Sequence, residues 1–195
     1  MGTLDDKVAL ITGGGSGIGK SIAKALAGEG CTVVLASRNA ERLAAAVDEI
    51  CGENGTAVSV VADVTVEAQV QALFAEVVRR YNRLDVLVNS PGAFEGGRID
   101  TLSLETWRRV LDTNLTGPFL CTREAFRIMK PAGGGRIINI GSISAQRSRE
   151  RSALYAATKF GVWGLTQAAA LEGRDYGIAV SALHPGNTMV ERRAR

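Results

Sequence analysis

Residues 7–19, KVALITGGGSGIG, decide the fold. Lys7 to Thr12 is a short apolar run that predicts a buried strand, and it ends directly in glycines. A helical pattern follows from about Ile18 to Gly28. Strand, glycine-rich turn and helix in that order are the context a dinucleotide site requires. Glycines let the backbone turn sharply and approach a pyrophosphate. The helix N-terminus adds N–H groups and a partial positive charge. The spacing is TGxxxGxG rather than GxGxxG, which makes Gly13, Ser16, Gly17, Ile18 and Gly19 the candidate cofactor contacts.

The same alternation continues outward. Thr32 to Ala36 reads as a second strand ending in Ser37-Arg38-Asn39. In a Rossmann unit the adenosine ribose is read at this place, and an acid there would bind the 2′-hydroxyl of NAD. Here the position holds Arg38, whose guanidinium suits a 2′-phosphate. NADP(H) is therefore expected, with NAD(H) as the alternative and a merely solvated arginine as the bland reading. Ser37 is placed beside it. Ala40 to Ile50 reads as a helix, Ala57 to Val61 as a strand, Val66 to Tyr81 as a helix and Leu84 to Val88 as a strand. After the third strand come Asp63 and Val64. Asp63 has two readings, a contact to adenine or a cap for the helix near Val66. After the fourth strand, Asn89-Ser90-Pro91-Gly92 offers Asn89 and Gly92. Repeated strand-helix units predict an α/β, doubly wound parallel sheet with right-handed crossovers, a Rossmann fold. Ligands bind such sheets at the carboxyl ends of the strands, where each of these motifs falls.

In the second half, Ser103 to about Met129 reads as one long helix, interrupted by Asn114 and kinked at Gly117-Pro118. Gly133 to Gly135 precedes a strand, Arg136 to Ile140, so this glycine run carries no phosphate role. The strand leads into Gly141-Ser142, then a loop with Arg147, Arg149, Glu150 and Arg151 that reads as solvated. A helix from about Ser152 to Glu172 follows, then a sixth strand from Gly177 to Leu183 ending in His184-Pro185-Gly186. The helix carries Tyr155-Ala-Ala-Thr-Lys159. Residues four apart share one helical face, so both polar heads can reach one spot. A free tyrosine titrates near pH ~10, and a neighbouring ammonium favours the phenolate. The pair is thus a candidate proton-transfer device, although Tyr and Lys also meet at this spacing by chance.

The bulk composition narrows the class. With 195 residues, 46% hydrophobic and 22% charged, the chain suits one globular domain over residues 1–195. The net charge of +3 comes without a long basic run, which argues against nucleic acid as a partner. Cys31, Cys51 and Cys121 show no CxxC spacing, and the chain has one histidine, so no metal site is expected. Reduced thiols, no secretory leader and no apolar run of about 20 residues predict a cytoplasmic protein that does not enter a membrane.

TGGGSGIG, NSPG, Asn114, Ser142, YAATK and HPG, in this order and with Ser142 thirteen residues before Tyr155, resemble the short-chain dehydrogenase/reductase family, including its 3-oxoacyl reductases. The resemblance covers essentially the whole chain. It implies an oxidoreductase that moves a hydride between NADP(H) and a small-molecule carbonyl or secondary alcohol. It implies Tyr155 as acid/base, Lys159 on the nicotinamide ribose, Ser142 bonded to the reacting oxygen and Asn114 holding a water that leads to Lys159. Pro185, Gly186 and Thr188 would run past the nicotinamide. His184 is expected to be structural.

Two departures stand out. The family's usual Asn-Asn-Ala-Gly is Asn89-Ser90-Pro91-Gly92 here, where Pro91 removes a backbone N–H. Ser16 stands where many NADP-preferring members carry a basic residue, so the cofactor reading rests on Arg38. The resemblance also implies a substrate lid and a seventh strand that this sequence lacks, which predicts six strands with the sixth at the sheet edge. Through the two long helices, the resemblance also implies a homodimer or homotetramer. A nucleotide-binding protein with impaired turnover is the alternative to an active reductase, and a subunit that binds no nucleotide is a third reading.

Overall fold

Val8–Thr12 (β1) and Val86–Asn89 (β4) are buried at every position, because helices cover both faces of the sheet they centre. The remaining strands are Thr32–Ser37 (β2), Thr56–Val61 (β3), Gly135–Ile140 (β5) and Ile178–Leu183 (β6). All pair in parallel in the order β3-β2-β1-β4-β5-β6. The outer strands β3 and β6 each have one buried residue, and the rest are half-buried or exposed. This computed structural model describes residues 2–188.

Alternate residues of β1 divide the core. Val8 and Leu10 pack with Val70, Leu73, Phe74 and Val77 of the helix Glu67–Tyr81 (α3) and with Leu120, Cys121 and Ala125 of Gly117–Met129 (α5). Ala9 and Ile11 pack on the other face with Ala23 and Ala27 of Gly17–Gly28 (α1) and with Leu43, Ala46 and Ile50 of Ala40–Gly52 (α2). Leu104–Leu111 (α4) and Ala153–Gly173 (α6) complete the helices. The order reverses at β1, with β2 on one side and β4 on the other. The turns after β1 and β4 therefore open at the point where doubly wound sheets take their ligands.

One expected element differs. The segment read as a single kinked helix is α4, a five-residue π-helical turn over Asp112–Thr116, then α5. The break lies before Gly117-Pro118 rather than at it. Pro118 sits in the first turn of α5 and gives no N–H to the helix that runs on from the π-helical turn. The turn closes through the Gly117 N–H on the Asp112 carbonyl and swings Asn114 inward to 1% exposure. Close packing holds it there. A Cβ on Gly161 of α6 would stand 2.7 Å from the Leu115 side chain, and one on Gly117 would stand 2.8 Å from Val64.

A polar seam crosses the sheet between α5 and α6. Asn89 Nδ2 donates to Asn139 Oδ1 at 2.9 Å and to Thr122 Oγ1 at 3.2 Å. Asn139 Nδ2 in turn donates to Thr166 Oγ1 at 2.9 Å, and all four residues are buried.

The turn after β1 is fixed by close backbone approach. Gly13 has φ +69°, and a Cβ on it would lie 2.3 Å from the Ser90 carbonyl oxygen. Its N–H bonds to the Ala36 carbonyl at 2.8 Å. Gly13→Ala is expected to cost at least about 1–3 kcal/mol from the left-handed backbone alone, before the clash is added. A denaturant midpoint lowered at unchanged slope would show it; a native midpoint would mean that the turn relaxes freely.

Candidate active site

The β1–α1 turn is built to receive something. Gly13 and Gly17 both adopt positive φ. Ser16 is the N-cap of α1 without a side-chain cap bond, and the first turn of α1 carries no acid. The dipole of α1 is thus not answered by a carboxylate of its own first turn. Gly19 must be glycine for helix and turn to touch, since a Cβ would stand 2.4 Å from the Gly13 carbonyl oxygen. Ile18 is half-buried against the core face that α1 covers. These features fit the pyrophosphate of a dinucleotide.

Ser37 ends β2, and its hydroxyl accepts from the Asn39 N–H at 3.3 Å. Asn39 caps α2 by accepting from the Arg42 N–H at 2.8 Å. Arg38 is 71% exposed at its side chain and lies 3.7 Å from Asp63 Oδ2. The other oxygen of Asp63 accepts from Thr65 N–H at 2.9 Å and from Thr65 Oγ1 at 2.7 Å. This corrects one of the two sequence readings: Asp63 does not cap α3. Its N-cap is Val66, without a side-chain cap bond, because Asp63 is spent on Thr65. Val64 is buried against Gly117 and belongs to the core. Arg42, in the first turn of α2, lies against Gly15 of the β1–α1 turn and was not singled out from the sequence.

Asn89 points its side chain into the polar seam, with Oδ1 buried and unpartnered among the described residues. Around Gly92 and Gly186 an added Cβ would meet nothing within 4 Å, so both strand ends border open space. Pro185 accepts from the Ile143 N–H at 3.3 Å, and Thr188 is exposed.

At the ends of β4 and β5 the remaining candidates converge. Asn114 Oδ1 accepts from the Ala93 N–H at 2.8 Å, while its Nδ2 donates to the Ala93 carbonyl at 2.8 Å and to Thr158 Oγ1 at 3.2 Å. Asn114 thereby ties the segment after β4 to α6. Lys159 is 4% exposed and donates to the Ile140 carbonyl at 2.7 Å, two residues before Ser142. Its ammonium stands 5.6 Å from the ring centre of Tyr155. Burial pushes the Lys159 ammonium down to about 8, with no carboxylate to offset it. Tyr155 lies in the first turn of α6, half-buried, and its hydroxyl makes no hydrogen bond among the described residues. Phe94 meets the tyrosine ring edge-on at 5.2 Å while 54% exposed itself. Ser142 is buried, and its hydroxyl oxygen accepts from the Ser144 N–H at 3.1 Å, which leaves the hydroxyl proton to be donated elsewhere. Thr158, Phe94 and the Ile140 carbonyl were not singled out from the sequence. Thr158 alone carried a signal, its place beside Lys159.

No group of three or more potential metal ligands occurs among the described residues, and no helix there is long and apolar enough to cross a membrane.

The profile of the short chain dehydrogenase family matches residues 7–195. The chain is 39% identical over 189 residues to a 3beta-hydroxysteroid dehydrogenase of Mediterraneibacter gnavus, spanning 96% of this chain and 68% of that protein. It is 39% identical over 187 residues to a 3-oxoacyl-[acyl-carrier-protein] reductase of Synechocystis sp., spanning 95% and 76%. Among solved structures it is similar to a variant of actinorhodin polyketide ketoreductase with NADPH, at a TM-score of 0.95 and 39% identity, covering 100% of this chain and 75% of that one. A match that runs from the first strand through the last, over a sheet wound in the order seen here, leaves one assignment: the chain belongs to the short-chain dehydrogenase family of nicotinamide-dependent oxidoreductases.

Proposed function

We propose that this chain transfers a hydride between NADP(H) and a small-molecule carbonyl or secondary alcohol, with Tyr155 as the acid/base. The observation that carries the reading is Lys159: a buried ammonium, held by the Ile140 carbonyl at the root of Ser142 and set against the Tyr155 ring. NADPH, when bound, supplies the hydride. In reduction, Tyr155 gives its phenolic proton to the substrate oxygen as the hydride reaches the carbon, and in oxidation it takes the alcohol proton. Ser142 donates its hydroxyl proton to the same oxygen and stabilises the charge that develops there. Lys159 stabilises the charge left on the tyrosine oxygen. Asn114 has committed its side chain to Ala93 and Thr158, so a water leading to Lys159 falls to its main chain in the π-helical turn.

The dinucleotide would lie along the strand ends. Gly13, Ser16, Gly17, Ile18 and Gly19 would hold the pyrophosphate. Arg38 would take the 2′-phosphate, and Ser37, Asp63 and Val64 would border the adenosine. Asn89, Gly92, Pro185, Gly186 and Thr188 would flank the nicotinamide, whose ribose would fall to Tyr155 and Lys159. The NADPH of the ketoreductase with this fold supports NADP(H) over NAD(H). Three free thiols suit the cytoplasm. Trp107, Phe119 and Phe160, exposed on α4, α5 and α6, suit a homodimer or homotetramer.

Tyr155→Phe should keep NADPH affinity, read by fluorescence titration, and lose about 10²–10⁴-fold in turnover on a ketone panel. Persistent turnover would remove the acid/base assignment. NADPH binding without turnover by the native chain would leave a nucleotide-binding protein. Arg38→Asp should weaken NADPH by about 10–100-fold relative to NADH, the worth of a charged hydrogen bond. An unchanged NADPH/NADH ratio would take Arg38 out of the reading.

Lys159 also sets a pH dependence. Its folded value of about 8 lies below the ordinary 10.5, so between them the unfolded chain binds more protons. Stability then rises with pH in that window. The stability of the native chain relative to Lys159→Met is expected to increase from pH 8 to 10.5 in denaturant titrations. A flat difference would mean that the lysine keeps its ordinary proton affinity.

A further inference from the structure

His184 is the single histidine of the chain, and the mechanism above does not use it. It follows β6 directly, yet its ring lies against the segment that leaves β5. Nδ1 stands 2.9 Å from the Ser142 carbonyl oxygen and 3.2 Å from the Ser142 amide nitrogen. The ring occupies room that Gly141 leaves open: a Cβ there would lie 2.5 Å from Nδ1. Behind the imidazole, Trp163 meets it edge-on at 5.3 Å and 74°. Trp163 is on α6, four residues after Lys159 and eight after Tyr155, so the helix that carries both also props this ring.

One nitrogen cannot serve both the N–H and the carbonyl of Ser142. With the proton on Nε2, an N–H would be buried without an acceptor, since Nε2 has no partner among the described residues. The Nδ1 lone pair would then also face the carbonyl lone pairs at 2.9 Å. With the proton on Nδ1, the ring donates to the carbonyl, at the shorter of the two distances, and the Ser142 amide is what goes without. Either arrangement leaves one buried donor and one opposed contact; the second is the one in which the shorter contact, 2.9 Å, is a hydrogen bond to a carbonyl rather than lone pair against lone pair. The carbonyl then receives two donors, Nδ1–H and the Ala145 N–H at 2.9 Å. With the backbone held and the hydroxyl oxygen accepting from the Ser144 N–H, the directions left to the Ser142 hydroxyl proton are narrowed.

We propose that His184 is a positioning residue: its Nδ1–H, backed by Trp163, fixes the Ser142 peptide and so aims the serine hydroxyl at the reacting oxygen. The inference rests on the role given to Ser142 above. It couples Ser142, which follows β5, to the helix that carries Tyr155 and Lys159.

The test begins with the native chain, whose one imidazole gives one unambiguous pair of ring-nitrogen signals by long-range ¹H–¹⁵N NMR. A single tautomer protonated at Nδ1 is expected; protonation at Nε2, or averaging between tautomers, would overturn the proposal. The second arm follows NADPH-dependent reduction of cyclohexanone by His184→Leu, His184→Asn and Ser142→Ala. His184→Leu should lower kcat about 10–100-fold with KM and NADPH affinity near native. His184→Asn, whose amide N–H can stand where Nδ1–H stood, should recover most of the loss. Native kcat in His184→Leu beside an inactive Ser142→Ala would sink this inference alone. Native turnover in Ser142→Ala would instead remove the reading of Ser142 on which it rests.

Discussion

A buried cation organises the ends of these strands. Lys159 is nearly sealed from solvent, and its ammonium has the Ile140 carbonyl rather than a carboxylate for company. Such a group is tolerated only where surrounding structure holds it, and its lowered proton affinity records the cost of burial. The contacts that hold it form a short chain. Asn114 bonds Thr158 next door, Thr158 bonds the Tyr155 carbonyl at 2.8 Å, and Ala93 closes the loop from β4 onto Asn114. The lysine is therefore placed by three segments that are remote in sequence, and moving any one of them moves the cation.

That dependence explains which parts of the molecule were legible before folding. The parallel sheet was readable because each strand carries its own signal: an apolar run, then glycine or a small polar residue, then helical spacing. KVALITGG and DVLVNSPG need no knowledge of their neighbours. Asn114, Ser142, Tyr155 and Lys159 were found by their order along the chain, and the structure brings Lys159 against Tyr155 and within two residues of Ser142.

What was not legible is made of tertiary contacts. The π-helical turn over Asp112–Thr116 meets α6 where Leu115 packs on Gly161; Asn114 marks an interruption in the sequence, but not its π-helical form. Asp63 offered two roles on local grounds, and the capping one fails because its oxygen is captured by Thr65 before α3 begins. The contact of His184 with Ser142 spans 42 residues and passes through the gap beside Gly141, so only the folded chain shows it.

The polar seam has a consequence for how the helices are indexed. Apolar contact is non-directional and roughly proportional to the area it covers, so it specifies register less sharply than a hydrogen bond does. Asn139 can reach Thr166 in one register of α6 against β5, and Asn89 can reach Thr122 in one register of α5 against β4. A slip of one helical turn would displace Tyr155 by about 5.4 Å and leave buried amides unanswered. The four residues act as a ratchet pawl: whatever else Asn89 touches, together they decide which notch of the helix the chemistry occupies.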